Sequence, residues 1–331
     1  MKALVYTGPE QLDYQDFPDP VPSEGEVLVR IESVGICGSD MHAFLGHDDR
    51  RPAPLILGHE IAGTIVGEDQ RVTINPLVAC GECRACKAGQ DNLCPDRQII
   101  SMPPREGGFA EYVKIPRANT VVVPDHVTSD QAALAEPIAC GWHAARIARA
   151  HPAGVGKDVT ALVIGGGAIG LGAALSLKAQ GITDVVMIEP NDIRRAYLIE
   201  TCGQKALTES DLAAGQMFDV VVDGVGYAAT RALASERTRP GGIIVHIGLG
   251  SGEGGLDIRR ATLQEITFVG TYTYTAQDFR DCAQAMFDGK LGALNWTETR
   301  PLSEGAQAFA DIRAGNVSAP KIILKPFASG D

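Results

Sequence analysis

The run Thr160-Ala161-Leu162-Val163-Ile164-Gly165-Gly166-Gly167-Ala168-Ile169-Gly170 decides the fold. A β-rich, largely apolar stretch breaks at a G-x-G-x-x-G pattern, and residues of helical composition follow to Gln180, where Gly181 stops them. In this setting the glycines carry a mechanism. The first permits a tight turn, the second lets a pyrophosphate approach the backbone, and the third lets helix and strand pack closely. The helix N-terminus then faces the phosphate charge. Gly165, Gly167, Ala168, Ile169 and Gly170 are therefore candidate cofactor contacts. The pattern also calls for an acid at the end of the second strand, and Glu189 stands nineteen residues beyond Gly170, after Asp184–Ile188. A carboxylate there accepts hydrogen bonds from the adenosine ribose hydroxyls and repels a 2′-phosphate, which favours NAD over NADP. Arg194 and Arg195 weigh the other way, because an arginine nearby can accommodate that phosphate.

Outward from this run, strand and helix alternate. Further strands are expected at Phe218–Val222 and Gly242–Ile247, and a helix from Asp192 to Cys202. Such alternation means a doubly wound parallel sheet. From Val27 to Val123 the text changes to short runs cut by Gly and Pro, such as Val27–Ile31, Ile61–Val66, Tyr112–Ile115 and Val121–Val123, which reads as a β-rich, barrel-like domain. Helices Ser129–Ala135 and Ala139–Arg149 join the two parts, and helices Ala276–Phe287 and Ser303–Arg313 with a strand Lys321–Lys325 close the chain. At 331 residues the chain exceeds what one core serves, so two domains are expected.

A formal charge of −12 argues against nucleic acid and anionic membranes as partners. Thr160–Leu177 is uncharged and long enough to suggest a membrane span, but glycines crowd its centre and no second span accompanies it. No apolar signal core follows Met1-Lys2-Ala3-Leu4-Val5-Tyr6, so a soluble, cytoplasmic protein is expected.

Cys80, Cys83, Cys86 and Cys94 form C-x2-C-x2-C-x7-C within a polar, Gly-bearing loop that has no core of its own. Four thiolates this close can wrap one soft ion, and zinc in a closed tetrahedron is the reading. Disulfides fit a secreted chain better. A ferredoxin-like cluster would close with three residues before Cys94-Pro95, not seven. Cys140, Cys202 and Cys282 read as buried thiols.

Three further motifs complete the set: Gly35-Ile36-Cys37-Gly38-Ser39-Asp40-Met41-His42, Gly58-His59-Glu60, and Gly107-Gly108-Phe109-Ala110-Glu111-Tyr112. Together with the cysteine loop and the glycine pattern they resemble, in order and over nearly the whole chain, the zinc-dependent medium-chain dehydrogenases, the alcohol and polyol dehydrogenase superfamily. The resemblance implies a GroES-like β-rich catalytic domain (1–138 and 274–331) carrying a structural zinc lobe (80–94), with a Rossmann domain over 139–273. It implies a second, catalytic zinc with Cys37 and His59 as ligands, Glu60 ligating or exchanging with water, and Glu136 at the remaining ligand position. Ser39 matches the hydroxyl that takes the substrate proton, His42 the histidine that passes it to solvent, and Asp40 a carboxylate behind His59. Zinc with an open position lowers the pKa of an alcohol, and the nicotinamide takes the hydride.

Glutamate rather than cysteine at 136 points within the family to the sorbitol and polyol branch, hence to a secondary alcohol on a polyol or sugar. Simple alcohols or diols and threonine-type substrates are the alternatives. A non-catalytic nucleotide-binding protein would have no need of Ser39 with His42. Homodimers or homotetramers are the assemblies the resemblance implies. Ala43–Pro54 lies where the family builds its variable substrate wall; Arg50 and Arg51 there read as surface arginines of a mobile loop, or as ligands of a phosphorylated polyol.

Overall fold

The strand Glu26–Gly35 organises the first unit of the protein. Its buried positions alternate over the first eight residues, so Val27, Val29 and Ile31 are buried while Arg30 faces out. It pairs antiparallel with Glu60–Ile65, with Tyr112–Pro116 and with Lys321–Lys325 from the far end of the chain. The sheet continues through Gln70–Ile74 to Thr120–Val122 on one side and through Thr297–Pro301 on the other. The register has a consequence for chemistry: Gly35 is opposite both Glu60 and Ile323. A Cβ on Gly35 would lie 1.9 Å from a Glu60 carboxylate oxygen, so only glycine leaves room for that side chain.

The computed structural model describes residues 1–327, and these fall into two units. One comprises Met1–Glu136, Thr275–Phe287 and the chain from Trp296; the other comprises Pro137–Tyr274 and Asp288–Asn295. The last of these segments, within the range the sequence assigned to the catalytic part, thus clusters with the second unit.

The second unit holds a six-stranded, all-parallel sheet in the order Ala206–Leu207, Asp184–Ile188, Thr160–Ile164, Phe218–Asp223, Thr238–His246, Thr267–Gly270. Numbered along the chain this is 3-2-1-4-5-6, the doubly wound arrangement whose ligands sit beyond the carboxyl ends of the strands. Leu162, Val186, Val221 and Ile244 form its central core with Phe218 and Leu233. Sequence reading missed the two edge strands. Ala206–Leu207 is too short to show a period, and Thr267–Gly270 is half-exposed, so neither carries a strong apolar signal. It also missed helices Ala228–Arg237 and Ile258–Leu263. Thr160–Leu177 is a strand, a glycine turn and most of helix Ala168–Ala179, and among the described residues no helix is long and apolar enough to cross a membrane.

In the first unit, the cysteine loop is fastened to the helix Ala276–Phe287. Both oxygens of Asp91 accept from the Ala276 N–H, at 2.9 and 3.2 Å, beside a reciprocal Thr275–Asp278 cap. Replacing a capping carboxylate costs about 1 kcal/mol. Asp91→Ala should therefore lower the melting temperature by about 2–4 °C with zinc content unchanged. Calorimetry beside elemental analysis reads both, and an unshifted transition would show the tether to be dispensable.

Candidate metal centres and nucleotide site

Cys37 caps the short helix Gly38–Phe44, and His59 and Glu60 lie where the chain enters the strand Glu60–Ile65. Each of the three offers a ligand atom, and these atoms lie within 4.8 Å of one another. His59 and Glu60 are buried. Asp40 gathers the two segments: its Oδ2 accepts from the Cys37 N–H at 3.0 Å and its Oδ1 from the Gly58 N–H at 3.1 Å. The same Oδ1 is 3.4 Å from His59 Nδ1, and the Ser101 hydroxyl is 3.3 Å from that nitrogen. With Nδ1 so engaged, Nε2 is the ring atom left for a metal.

Burial alone would raise the Asp40 pKa, but the charge of His59, its hydrogen bond, and Arg51 together hold it below the ordinary carboxylate range. Burial likewise opposes charge on His59, yet Asp40 and Cys37 push its pKa well above the usual value. Negative charge from Asp40 and Cys37 thus surrounds the ring. Glu60 supplies the clearest sign of a cation site. Its Oε1 accepts from Lys321 Nζ at 2.5 Å, whereas its buried Oε2 has no hydrogen-bond partner. A buried carboxylate oxygen without a partner is costly unless a cation answers it. One thiol, one imidazole and one carboxylate oxygen fit zinc with a position left open. Glu136 is buried but stands outside this 4.8 Å set; its charge reaches Lys321, whose pKa is lowered by burial but raised overall by Glu60, Cys37 and Glu136.

The four cysteines of the loop form a second set within 4.8 Å. Cys83 Sγ is 3.5 Å from Cys86 Sγ, and Cys80 Sγ is 3.9 Å from it. These are the edges expected of sulfurs about 2.3 Å from a shared zinc in a tetrahedron, and far too long for disulfides. Cys83 also caps helix Arg84–Lys87 by accepting from the Cys86 N–H. Hydrogen bonds from the Glu82 and Cys83 backbone lower the Cys80 pKa to about 7, so that sulfur readily becomes the thiolate a metal needs. Of the cysteines outside both sets, Cys140 and Cys282 are buried; Cys202 is only half-buried, with burial pushing its thiol up to about 11.

At the carboxyl end of Thr160–Ile164 the glycines have distinct reasons. Gly165 has φ +99°, and a Cβ on Gly170 would lie 1.8 Å from the Gly165 carbonyl. At Gly167 the space is open, with only an Arg194 nitrogen at 3.9 Å, so a pyrophosphate can reach the backbone at the start of helix Ala168–Ala179. Ala168 and Ile169 form the first turn of that helix. Glu189 accepts from the Gly166 N–H at 2.9 Å and the Asn191 N–H at 2.8 Å, which fixes its carboxylate beside the loop. These residues fit a dinucleotide. Arg195 is turned away, donating to the Glu189 and Pro190 carbonyls and pairing with Asp192.

Ser39 and His42 occupy positions three apart on helix Gly38–Phe44, so they share a face, and both are half-buried. Three residues of this neighbourhood were not assigned from sequence. Lys321 and Ser101 reach the centre only through pairing with residues 261 and 42 positions away. For Lys321 the one available signal was a charge at the start of a strand with an apolar centre. Arg51 corrects an expectation: it is 3% exposed, not a surface residue, because two backbone carbonyls and Asp48 take its guanidinium.

Residues 23–125 match the family model described as the alcohol dehydrogenase GroES-like domain, and residues 168–288 the one described as zinc-binding dehydrogenase. L-galactonate-5-dehydrogenase of Escherichia coli is 35% identical over 93% of this chain and 94% of its own. Sorbitol dehydrogenase of Bacillus subtilis is 33% identical over 83% and 82%. A structure from Escherichia coli CFT073, described as a short chain alcohol dehydrogenase complexed with NADH, superposes with a TM-score of 0.87 at 25% identity, covering 98% of this chain and 99% of that one.

Elemental analysis should find two zinc ions per chain. Cys83→Ser should remove one and lower the melting temperature. Cys37→Ser should empty the other set and abolish turnover while circular dichroism stays at the parent value. A parent protein with a single zinc would contradict one of the two assignments, and iron in place of zinc would contradict both.

Proposed function

The chain belongs to the zinc-binding alcohol dehydrogenase family with a GroES-like domain, and on that membership we propose that it oxidises a secondary alcohol on a polyol or sugar-derived substrate, with NAD as hydride acceptor. The observation that carries the reading is the Cys37, His59 and Glu60 donor set with one carboxylate oxygen unpaired. Zinc held there supplies Lewis acidity toward the alcohol oxygen, and the bound nicotinamide supplies the hydride acceptor. The protein's own residues do the rest. Cys37 and His59 hold the metal, with Glu60 as the third donor and Glu136 as the residue that completes or exchanges within the set. Asp40 and Ser101 orient the His59 ring. Ser39 takes the substrate proton and His42 hands it to solvent, a relay between two side chains on one helical face.

The substrate class draws its support from relatives named for L-galactonate and sorbitol. Hydroxyls flanking the reacting carbon need polar partners, and a site that supplies them rejects simple alcohols. A phosphorylated substrate loses its support, since Arg51 is committed to carbonyls and Arg50 to Asp48. A homodimer or homotetramer working in the cytoplasm completes the reading, and sedimentation tests the first part.

Initial rates with NAD on sorbitol, xylitol, galactitol, L-galactonate, 2,3-butanediol, ethanol and threonine test the substrate class. Polyols or the sugar acid should exceed ethanol and threonine by orders of magnitude in kcat/KM. A preference for ethanol or threonine would end the polyol reading.

Cofactor choice rests on Glu189, whose fixed carboxylate is set to repel a 2′-phosphate. Glu189→Ala should reduce the NAD to NADP ratio of kcat/KM about tenfold or more, the equivalent of about 1.4 kcal/mol. Equal use of both cofactors by the parent would move the argument to Arg194.

A further inference from the structure

We propose that Arg51 is a positioning residue of the reaction: its guanidinium clamps the backbone carbonyls of Ser39 and Ser101, and so sets the two serine hydroxyls that serve the metal centre. The inference rests on the relay reading of Ser39 given above. Arg51 Nη1 is 3.2 Å from the Ser39 carbonyl and Nε is 3.0 Å from the Ser101 carbonyl. Nη1 also donates to Asp48 Oδ2 at 2.8 Å, and the Asp48 side chain is itself almost fully buried. Three segments of the first unit therefore meet on one side chain: the helix Gly38–Phe44, the wall segment around Asp48, and the turn at Ser101.

Each contact does something a neutral or shorter residue would not. A buried guanidinium must find acceptors, so these three bonds are obligatory once Arg51 is inside. Its planar fork reaches two carbonyls at once, which an ammonium group cannot do with the same geometry. Ser101 sits at φ +70°, a conformation that a non-glycine residue keeps only when its surroundings hold it. Its hydroxyl lies 3.3 Å from His59 Nδ1, so a relaxed Ser101 backbone would release one of the two groups orienting that ring. The neighbouring Arg50 is a natural contrast. It grips the same Asp48 carboxylate, but from outside, with its side chain 57% exposed.

The test is a cycle with Ser39, run at saturating zinc, together with the rate at which a chelator strips zinc from the protein. Arg51→Met should lower kcat by about ten- to a hundredfold with KM little changed, as a displaced reacting group does. In a Ser39→Ala background the same change should cost less than twofold, because its route runs through the missing hydroxyl. Chelator release of one zinc per chain should accelerate about tenfold or more, through Ser101 and His59, while the second zinc leaves at the parent rate. Arg51→Lys should fall between parent and Arg51→Met, and it carries the same cycle if Arg51→Met does not fold. Arg50→Met should keep parent kcat and zinc release.

Parent-like turnover and zinc release in both Arg51 variants would overturn the inference. So would losses that multiply with Ser39→Ala, the signature of a merely structural defect. If Ser39→Ala itself kept parent turnover, the relay reading would fall. Zinc release would then judge Arg51 alone: acceleration keeps its hold on Ser101, and an unchanged rate ends the proposal.

Discussion

The metal-ligating part of the first unit depends on one fully buried carboxylate. Asp40 lies inside the short helix whose N-terminus is Cys37, and it accepts from the Cys37 N–H and from the Gly58 N–H on the opposite segment. A charge at that depth is costly without partners. Its partners are therefore forced to converge, and what converges with them is the thiol of Cys37 and the imidazole of His59. The carboxylate holds the ring and the cap together before any metal arrives, so the donor atoms are already grouped. Preorganisation of this kind keeps a ligand set tight, because little conformational freedom is left to lose on binding.

Around this carboxylate the charges are balanced in layers. Cys37, His59 and Glu60 present three donor groups, and Lys321 pairs with the carboxylate among them. Lys321 donates to Glu60 Oε1 and to the Ile36 carbonyl, which fixes the carboxylate and leaves Oε2 without a hydrogen-bond partner. The sheet makes this possible through register. Gly35 is paired with Glu60 on one side and with Ile323 on the other, and its missing Cβ is the space the carboxylate occupies. A backbone choice in one strand thus makes room for the carboxylate beside the other donors.

The nucleotide site in the second unit is built on a different principle. It uses absent side chains and backbone donors, with Gly167 left open and the helix Ala168–Ala179 beginning there. Glu189 is the exception: its carboxylate is itself held by two backbone N–H groups, at Gly166 and Asn191. A side chain so restrained cannot swing aside at low cost, and the proposed discrimination between cofactors draws on that rigidity.

The sequence by itself determined those features whose physics is local. Period and glycine spacing located the parallel sheet and its phosphate loop, because the turn, the close approach and the helix start all fall within eleven residues. The four cysteines were legible for the same reason, since a tight cluster needs only loop closure to surround an ion. Motifs read as a resemblance supplied Cys37, His59 and Ser39. Tertiary structure alone decided how these are held. Lys321 meets Glu60 across 261 positions, Ser101 meets His59 across 42, and Arg51 leaves the surface for carbonyls that no composition rule would pair with it. Glu136, although assigned beside the other ligands, lies outside their 4.8 Å group. The reason is common to all of them. A buried charge takes its meaning from the partners that satisfy it, and those partners are chosen by strand register and chain return, which short-range patterns do not encode.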